Sequence, residues 1–138
     1  LKLKWALGLN YHIYDGVHNL TNRDHKEVFI PVANQGVIFD YENNPKDSFK
    51  DMYSSPYPVQ QISATAYNKT RDIIVTADTG EDSMLVVWDV SSGTPRKTIF
   101  SPHPDGVAAL DISQDGTMIV TLSKADRPTE QWVTLWKW

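Results

Sequence analysis

The chain has 138 residues, 17 of them acidic and 13 basic, for a formal net charge of −4, and it has no cysteine. That length bounds it to about one ordinary domain, and the missing thiols exclude a disulfide framework and thiolate metal sites. No more than two basic residues stand together, which argues against nucleic acid as a partner, and no apolar run is long enough to span a membrane.

Leu1-Lys2-Leu3-Lys4-Trp5 alternates apolar and lysine side chains. This predicts a strand with one wet face, whose lysines discourage further pairing. Residues 1–9 are expected to be a lead-in or closing strand. Tyr11-His12-Ile13-Tyr14 is expected to begin the first four-stranded unit, residues 11–59, with Asp15 to Lys26 as a polar connection. Glu27 to Ala33 and Gln35 to Tyr41 follow as strands, with a bulge expected at Pro31 because proline cannot donate to a ladder. Glu42 to Val59 is charged and proline-bearing, and Phe49 to Tyr53 is expected to form a short outer strand.

The most informative stretch is Ile73 to Asp89, two apolar strand-length runs joined by Thr-Gly-Glu-Asp-Ser. Such runs around a short Gly-bearing turn are a hairpin signal. Met84, Val86 and Trp88 point to one face and Leu85 and Val87 to the other, so the hairpin is covered on both sides. The pattern repeats. Residues 66–78 align with 111–123 at a constant offset of 45, and Trp88 falls on Trp136 after an insertion of three. Val37-Ile38-Phe39-Asp40 takes the place of Val86-Val87-Trp88-Asp89 at an offset of 49. These spacings approach the roughly 40–45 residues of a WD-repeat blade.

The expected fold class is all-β, a WD-repeat β-propeller represented by an incomplete portion of about three blades: 11–59, 60–100 and 107–138. A closed propeller has roughly four to eight blades. With Leu1 in place of a Met, and Trp138 directly after a third-strand signature, the chain is expected to be part of a longer protein.

For chemistry, Asp78-Thr79-Gly80 after an apolar strand is the arrangement by which aspartic proteases present a carboxylate, and a dimer would be needed to pair two. The repeat already accounts for Asp78 as a turn residue, so a dimeric protease using it stands as an alternative only. His12, His18 and His25 are scattered and expected in surface or turn roles. His103 lies 33 residues before Trp136, where WD-repeat blades often carry Gly-His and this chain has Pro102-His103; that resemblance implies a buried chain of hydrogen bonds with a hydroxyl from Thr121 or Ser123, the Trp136 indole and an acidic residue in the next turn. Glu130 stands relative to Trp136 as Asp82 does to Trp88. No cofactor, metal or catalytic site is expected, since the acidic turn lacks the ligand alternation of a calcium loop.

Leu1-Lys2-Leu3-Lys4-Trp5-Ala6-Leu7-Gly8 resembles the opening motif of echinoderm microtubule-associated-protein-like propellers and related ciliary WD-repeat proteins. Ala77 to Asp82, Val86-Val87-Trp88-Asp89, Gly93-Thr94-Pro95, Thr98-Ile99-Phe100 and Leu135 to Trp138 resemble the cilia- and flagella-associated protein 251 family. Blade two departs from the usual pattern, with Tyr57-Pro58 where Gly-His is common. The resemblance implies a non-enzymatic scaffold of the motile axoneme at the radial spoke base. Its partners would be other axonemal proteins, including a calmodulin-containing complex and the doublet microtubule, with neither nucleic acid nor membrane. The implied location is cytoplasm, cytoskeleton and the cilium or flagellum axoneme. The alternative from the opening motif is a tubulin-binding propeller.

In a four-stranded blade, the second-to-third turn and the link to the next blade emerge on one face. Residues 42–59, 78–82, 101–105 and 123–130 are therefore expected together, opposite the tight turns at 68–71, 91–93 and 114–116. Tyr53, Tyr57 and Arg127 are the candidate partner-binding residues, because Tyr and Arg are enriched among interface anchors.

Overall fold

The computed structural model describes residues 8–42, 49–52, 60–125 and 130–138, with 49–52 as backbone. The described residues form three antiparallel sheets in chain order. The first contains β1 (His18–Asn19), β2 (Glu27–Val32), β3 (Gln35–Asp40) and β4 (Phe49–Met52). The second contains β5 (Ile62–Asn68), β6 (Ile73–Asp78), β7 (Met84–Asp89) and β8 (Pro95–Phe100). The third contains β9 (Val107–Ile112), β10 (Met118–Ser123) and β11 (Val133–Lys137). In each sheet, neighbouring strands are consecutive in sequence, as simple hairpins require.

The β6–β7 hairpin lies at the centre. One face of the second sheet packs Ile74, Met84, Val86 and Trp88 against Leu20, Phe29 and Ile38 of the first. Its other face packs Ile73, Val75, Ala77, Leu85 and Val87 against Val107, Ile119 and Trp136 of the third. The uninterrupted apolar runs are thus explained: each alternate set of side chains meets a different neighbouring sheet.

The repeat extends to irregularities of the ladder. β5 slips register against β6 between Ile62 and Ala64, and β9 does so against β10 between Val107 and Ala109. The skipped residues, Ser63 and Ala108, stand at the same offset of 45. The Ser63 hydroxyl donates to the Val107 carbonyl across the seam.

Two expectations for the first sheet are corrected. Residues 11–15 are turns, and the first strand is the short β1 inside the stretch expected to be a connection. The Tyr11–Tyr14 run carries a polar His between tyrosines and has no further apolar partner to continue a strand. The bulge expected at Pro31 is absent, for Pro31 pairs with Gly36 in unbroken register. Its carbonyl accepts from the Asn10 N–H at 3.1 Å, on the edge away from β3. Because a residue's N and C=O point to the same edge of a strand, the missing proline donor falls where β3 needs none. The expected strand at Leu1–Trp5 lies outside the described residues.

Candidate functional site

Polar side chains are concentrated at the seams between sheets. Thr121, on β10, is 1% exposed and presents its hydroxyl to two groups. The Trp136 indole N–H from β11 donates to Thr121 Oγ1 at 2.8 Å. His103 Nε2, from the connection ahead of β9, lies 2.8 Å from the same oxygen. A hydroxyl has one proton and two lone pairs, so one Thr can serve both. The His103 ring is 3% exposed and meets Trp136 edge-on at a centroid distance of 6.4 Å. Burial lowers its pKa below the usual 6.5, which favours the neutral ring. Of the two hydroxyls considered from the sequence, Thr121 is the partner; Ser123 instead accepts the Trp132 N–H.

The second sheet repeats this pair, with the Trp88 indole donating to Thr76 Oγ1 at 2.8 Å. Its counterpart of His103 is Pro58, outside the described residues. The first sheet contributes a histidine differently. His18 is buried, its Nε2 2.9 Å from Thr65 Oγ1 on β5, and its ring stacks on Phe29. The surface or turn role expected for His18 is therefore corrected. β1 brings its side chain onto the face shared with Phe29, where it meets the Thr65 hydroxyl of the next sheet. His12 and His25 are exposed as expected.

Asp78 closes the turn between β6 and β7 and is buried. Its carboxylate accepts the main-chain N–H of Met84, which pins the start of β7. Burial raises its pKa to about 6, opposed by the amides of Met84, Asp78 and Gln60. The acidic group expected in the hydrogen-bonded seam is not Glu130 or Asp82, both exposed; the buried one is Asp78. Its neighbours are main-chain amides, an arrangement that holds a turn. Among the described residues no group of three or more His, Cys, Asp or Glu side chains is placed to hold a metal.

The same turn is stitched to the connection entering the third sheet. Gly80 N–H donates to the Asp105 carbonyl at 3.1 Å, Ser101 N–H to the Ser83 carbonyl at 2.7 Å, and Thr79 bridges Gly106. Lys124 N–H donates to the Gly106 carbonyl at 2.8 Å. Residues 78–83, 101–106 and 123–124 therefore share one end of the sheets, as expected. At the other end Asn68 Nδ2 donates to the carbonyls of Ser113 at 2.7 Å and Gln114 at 3.0 Å. Arg71 Nε donates to the Asp115 carbonyl there. Tyr53, Tyr57 and Arg127 lie outside the described residues. The inter-sheet pair His18–Thr65 escaped sequence reasoning, because β1 is only two residues long and carries no periodic signal.

Fold and seam define a class: a β scaffold of serially stacked antiparallel sheets, with buried polar groups used to hold strands and sheets together. Comparison with known proteins then gives the family. The model of the CFAP251 N-terminal domain matches residues 1–138. Cilia- and flagella-associated protein 251 of Tetrahymena thermophila is 59% identical over 140 residues, covering 100% of this chain and 14% of that protein. The Chlamydomonas reinhardtii protein of the same name is 36% identical over 137 residues, covering 99% of this chain and 16% of its own length. The chain belongs to the cilia- and flagella-associated protein 251 family, and its place is in cilia and flagella. It spans about one sixth or less of these curated relatives. Among solved structures, Kuenenia stuttgartiensis hydrazine synthase superposes with a TM-score of 0.58 at 15% identity, over 80% of this chain and 29% of that one. That likeness is one of fold alone.

Proposed function

We propose that these residues are three consecutive blades of a WD-repeat propeller that serves as a non-enzymatic scaffold in the axoneme, at the radial spoke base on the doublet microtubule. The observation that carries the blade reading is the recurrence, at one offset, of the Trp–Thr hydrogen bond and of the inner-strand bulge in the second and third sheets. Membership in a cilia- and flagella-associated family supports the ciliary setting. The buried Asp78, Thr76, Thr121 and His103 all bond to strands or turns of the scaffold, which supports a structural role over catalysis. Rigid sheets with connections gathered at their ends suit partner recognition by loops.

In this reading Tyr53, Tyr57 and Arg127 are anchors for neighbouring axonemal proteins, with a calmodulin-containing complex among the candidates. The test is a tagged full-length protein in Tetrahymena or Chlamydomonas, located in axonemes by electron tomography. Label at spoke bases supports the proposal; uniform decoration of microtubules overturns it in favour of a general tubulin binder. Changing Tyr57 and Arg127 to Ala together should then reduce spoke-base assembly at an unchanged melting temperature. Normal assembly of that variant would remove these residues from the site.

A further inference from the structure

We propose that the cavity where the three sheets converge binds a carboxylate, presented by an acidic side chain on a peptide segment of a partner. The cavity has a volume of about 350 Å³. That is the small end of the range for ligand pockets, about 300–1,000 Å³, and suits a single side chain. The repeat explains its position. Ile62 and Ser63 stand at the offset of 45 from Val107 and Ala108, and Thr79 stands at the same offset from Lys124. Matching positions of the second and third sheets thus border one space, and the stretch ahead of β1 closes it from the first.

The base of the cavity is fixed and its rim is open. Asn10, Ile13, Ile62 and Val107 are buried, whereas His12, Gln61 and Lys124 are exposed. Asn10 Nδ2 donates to the Ile62 carbonyl at 2.9 Å, and the Ser63 hydroxyl donates to the Val107 carbonyl. The Ile62 N–H donates to the Ala33 carbonyl at 3.0 Å. These bonds tie each wall to the next, so the cavity is shaped before anything enters it, which reduces the ordering cost of binding.

Its chemistry selects the ligand. Among the described residues no Asp or Glu lines the cavity, although the chain carries a net charge of −4. The Lys124 ammonium, the His12 imidazole, the Gln61 amide and the Thr79 hydroxyl have no hydrogen-bond partner among the described residues. All four groups can donate, and an ionised carboxylate accepts only, at about four lone-pair sites. A bond from an ammonium to a carboxylate is roughly twice as strong as a neutral one. A cation would meet no counter-charge here, and an apolar group would strand the donors. Lys124 also borders a second cleft with Asp105 and Glu130, so of its two surroundings this cavity is the one lacking an anion. The rim lies at the end of the sheets where residues 78–83, 101–106 and 123–124 gather, so an entering side chain can keep its main chain outside.

The inference rests on the packing of the three sheets and not on the axonemal reading. Uniform decoration of microtubules would leave it standing, and its own failure would leave the spoke-base placement untouched. The test uses the full-length protein with two probes, a fluorescent peptide of alternating Glu and Gly and free glutarate. Anisotropy at physiological salt should show saturable binding of the Glu peptide and none of a matched peptide with Gln in place of Glu. Lys124→Gln should weaken binding at least roughly tenfold, the size of a hydrogen bond to a charged group, and Thr79→Val about threefold. Lys97→Gln on the exposed β8 removes the same charge away from the cavity and should change binding less than about twofold. Melting temperatures of the Lys124 and Lys97 variants should match the wild type, since both side chains are exposed. Displacement of the peptide by glutarate only at far higher concentration supports a peptide ligand; displacement at equal concentration overturns the peptide in favour of a free acid. Absence of saturable binding, or equal weakening by Lys124→Gln and Lys97→Gln, overturns the site.

Discussion

Replacing Thr121 by Val would test how much the shared hydroxyl contributes. Val keeps nearly the same shape, so packing against Trp136 changes little, and the loss is confined to the oxygen. That oxygen lies 2.8 Å from both Trp136 Nε1 and His103 Nε2. A typical hydrogen bond contributes a net ~0.5–1.5 kcal/mol, and a buried polar group left without a partner adds a desolvation penalty of about 1–3 kcal/mol. His103 is buried and has its ring nitrogen stranded by the change, while the half-buried indole loses less. Together these give a destabilisation of about 2–4 kcal/mol. Thr121→Ser keeps the oxygen and removes one buried methyl, at a cost of about 1 kcal/mol. Thr76→Val should fall between, since among the described residues Thr76 Oγ1 receives the Trp88 indole and no histidine. Native-state hydrogen exchange in the full-length protein reads the local effect on β9–β11. The Val variant should exchange roughly thirty- to several-hundredfold faster there, and the Ser variant about fivefold. A nearly neutral Val variant beside a destabilised Ser variant would refute a structural role for the shared hydroxyl and leave the methyl as the whole contribution.

Acid should act in two opposing ways. Burial lowers the pKa of His18 and of His103, so the unfolded chain takes up protons first and stability falls as pH drops below about 6.5. Asp78 is raised from 3.8 to about 6, so the folded state takes up its proton first and gains stability as pH falls through that interval. Asp78→Asn should therefore steepen the acid loss between pH 6 and 4, and parallel denaturant-midpoint curves would contradict this. At neutral pH the same change should leave the melting temperature nearly unaltered, because an amide oxygen can still accept the Met84 N–H. Gly106 has φ +89°, and a Cβ there would stand 2.6 Å from Thr79 Cα and 2.7 Å from the Asp78 carbonyl oxygen. Gly106→Ala should cost at least ~2 kcal/mol and open the seam between the second and third sheets, measured by thermal unfolding. Gly116→Ala should cost less, since its Cβ would meet the Arg71 side chain, which can move. Trp88→Ala should cost about 3–5 kcal/mol, by loss of a buried indole between two sheets, and unprotected Val86 to Trp88 amides in the wild type would contradict that placement.

The sequence by itself determined most of the second and third sheets. Ile73–Asp78 and Met84–Asp89 are apolar on successive residues, and only a strand covered on both faces uses such a run, so the central hairpin was legible. The offset of 45 carried that assignment to β9 and β10, while the grouping of His103 with Trp136 and a hydroxyl came from resemblance to WD-repeat blades, and the structure chose Thr121 over Ser123. The first sheet was less legible. β1 spans two residues, too few for any period, and it forms because β2 offers an edge at Val28 and Phe29. His18 was misplaced for the same reason: only the stacking of the first sheet on the second brings Thr65 to it. Pro31 shows a related limit, since composition says that a donor is missing but not to which edge of the strand the gap points. The tertiary structure also decided that Asp78, and not the more exposed Asp82 or Glu130, is the buried acid. Burial depends on which loop lies over a turn, and the cover over Asp78 comes from residues 101–106, more than twenty positions along the chain.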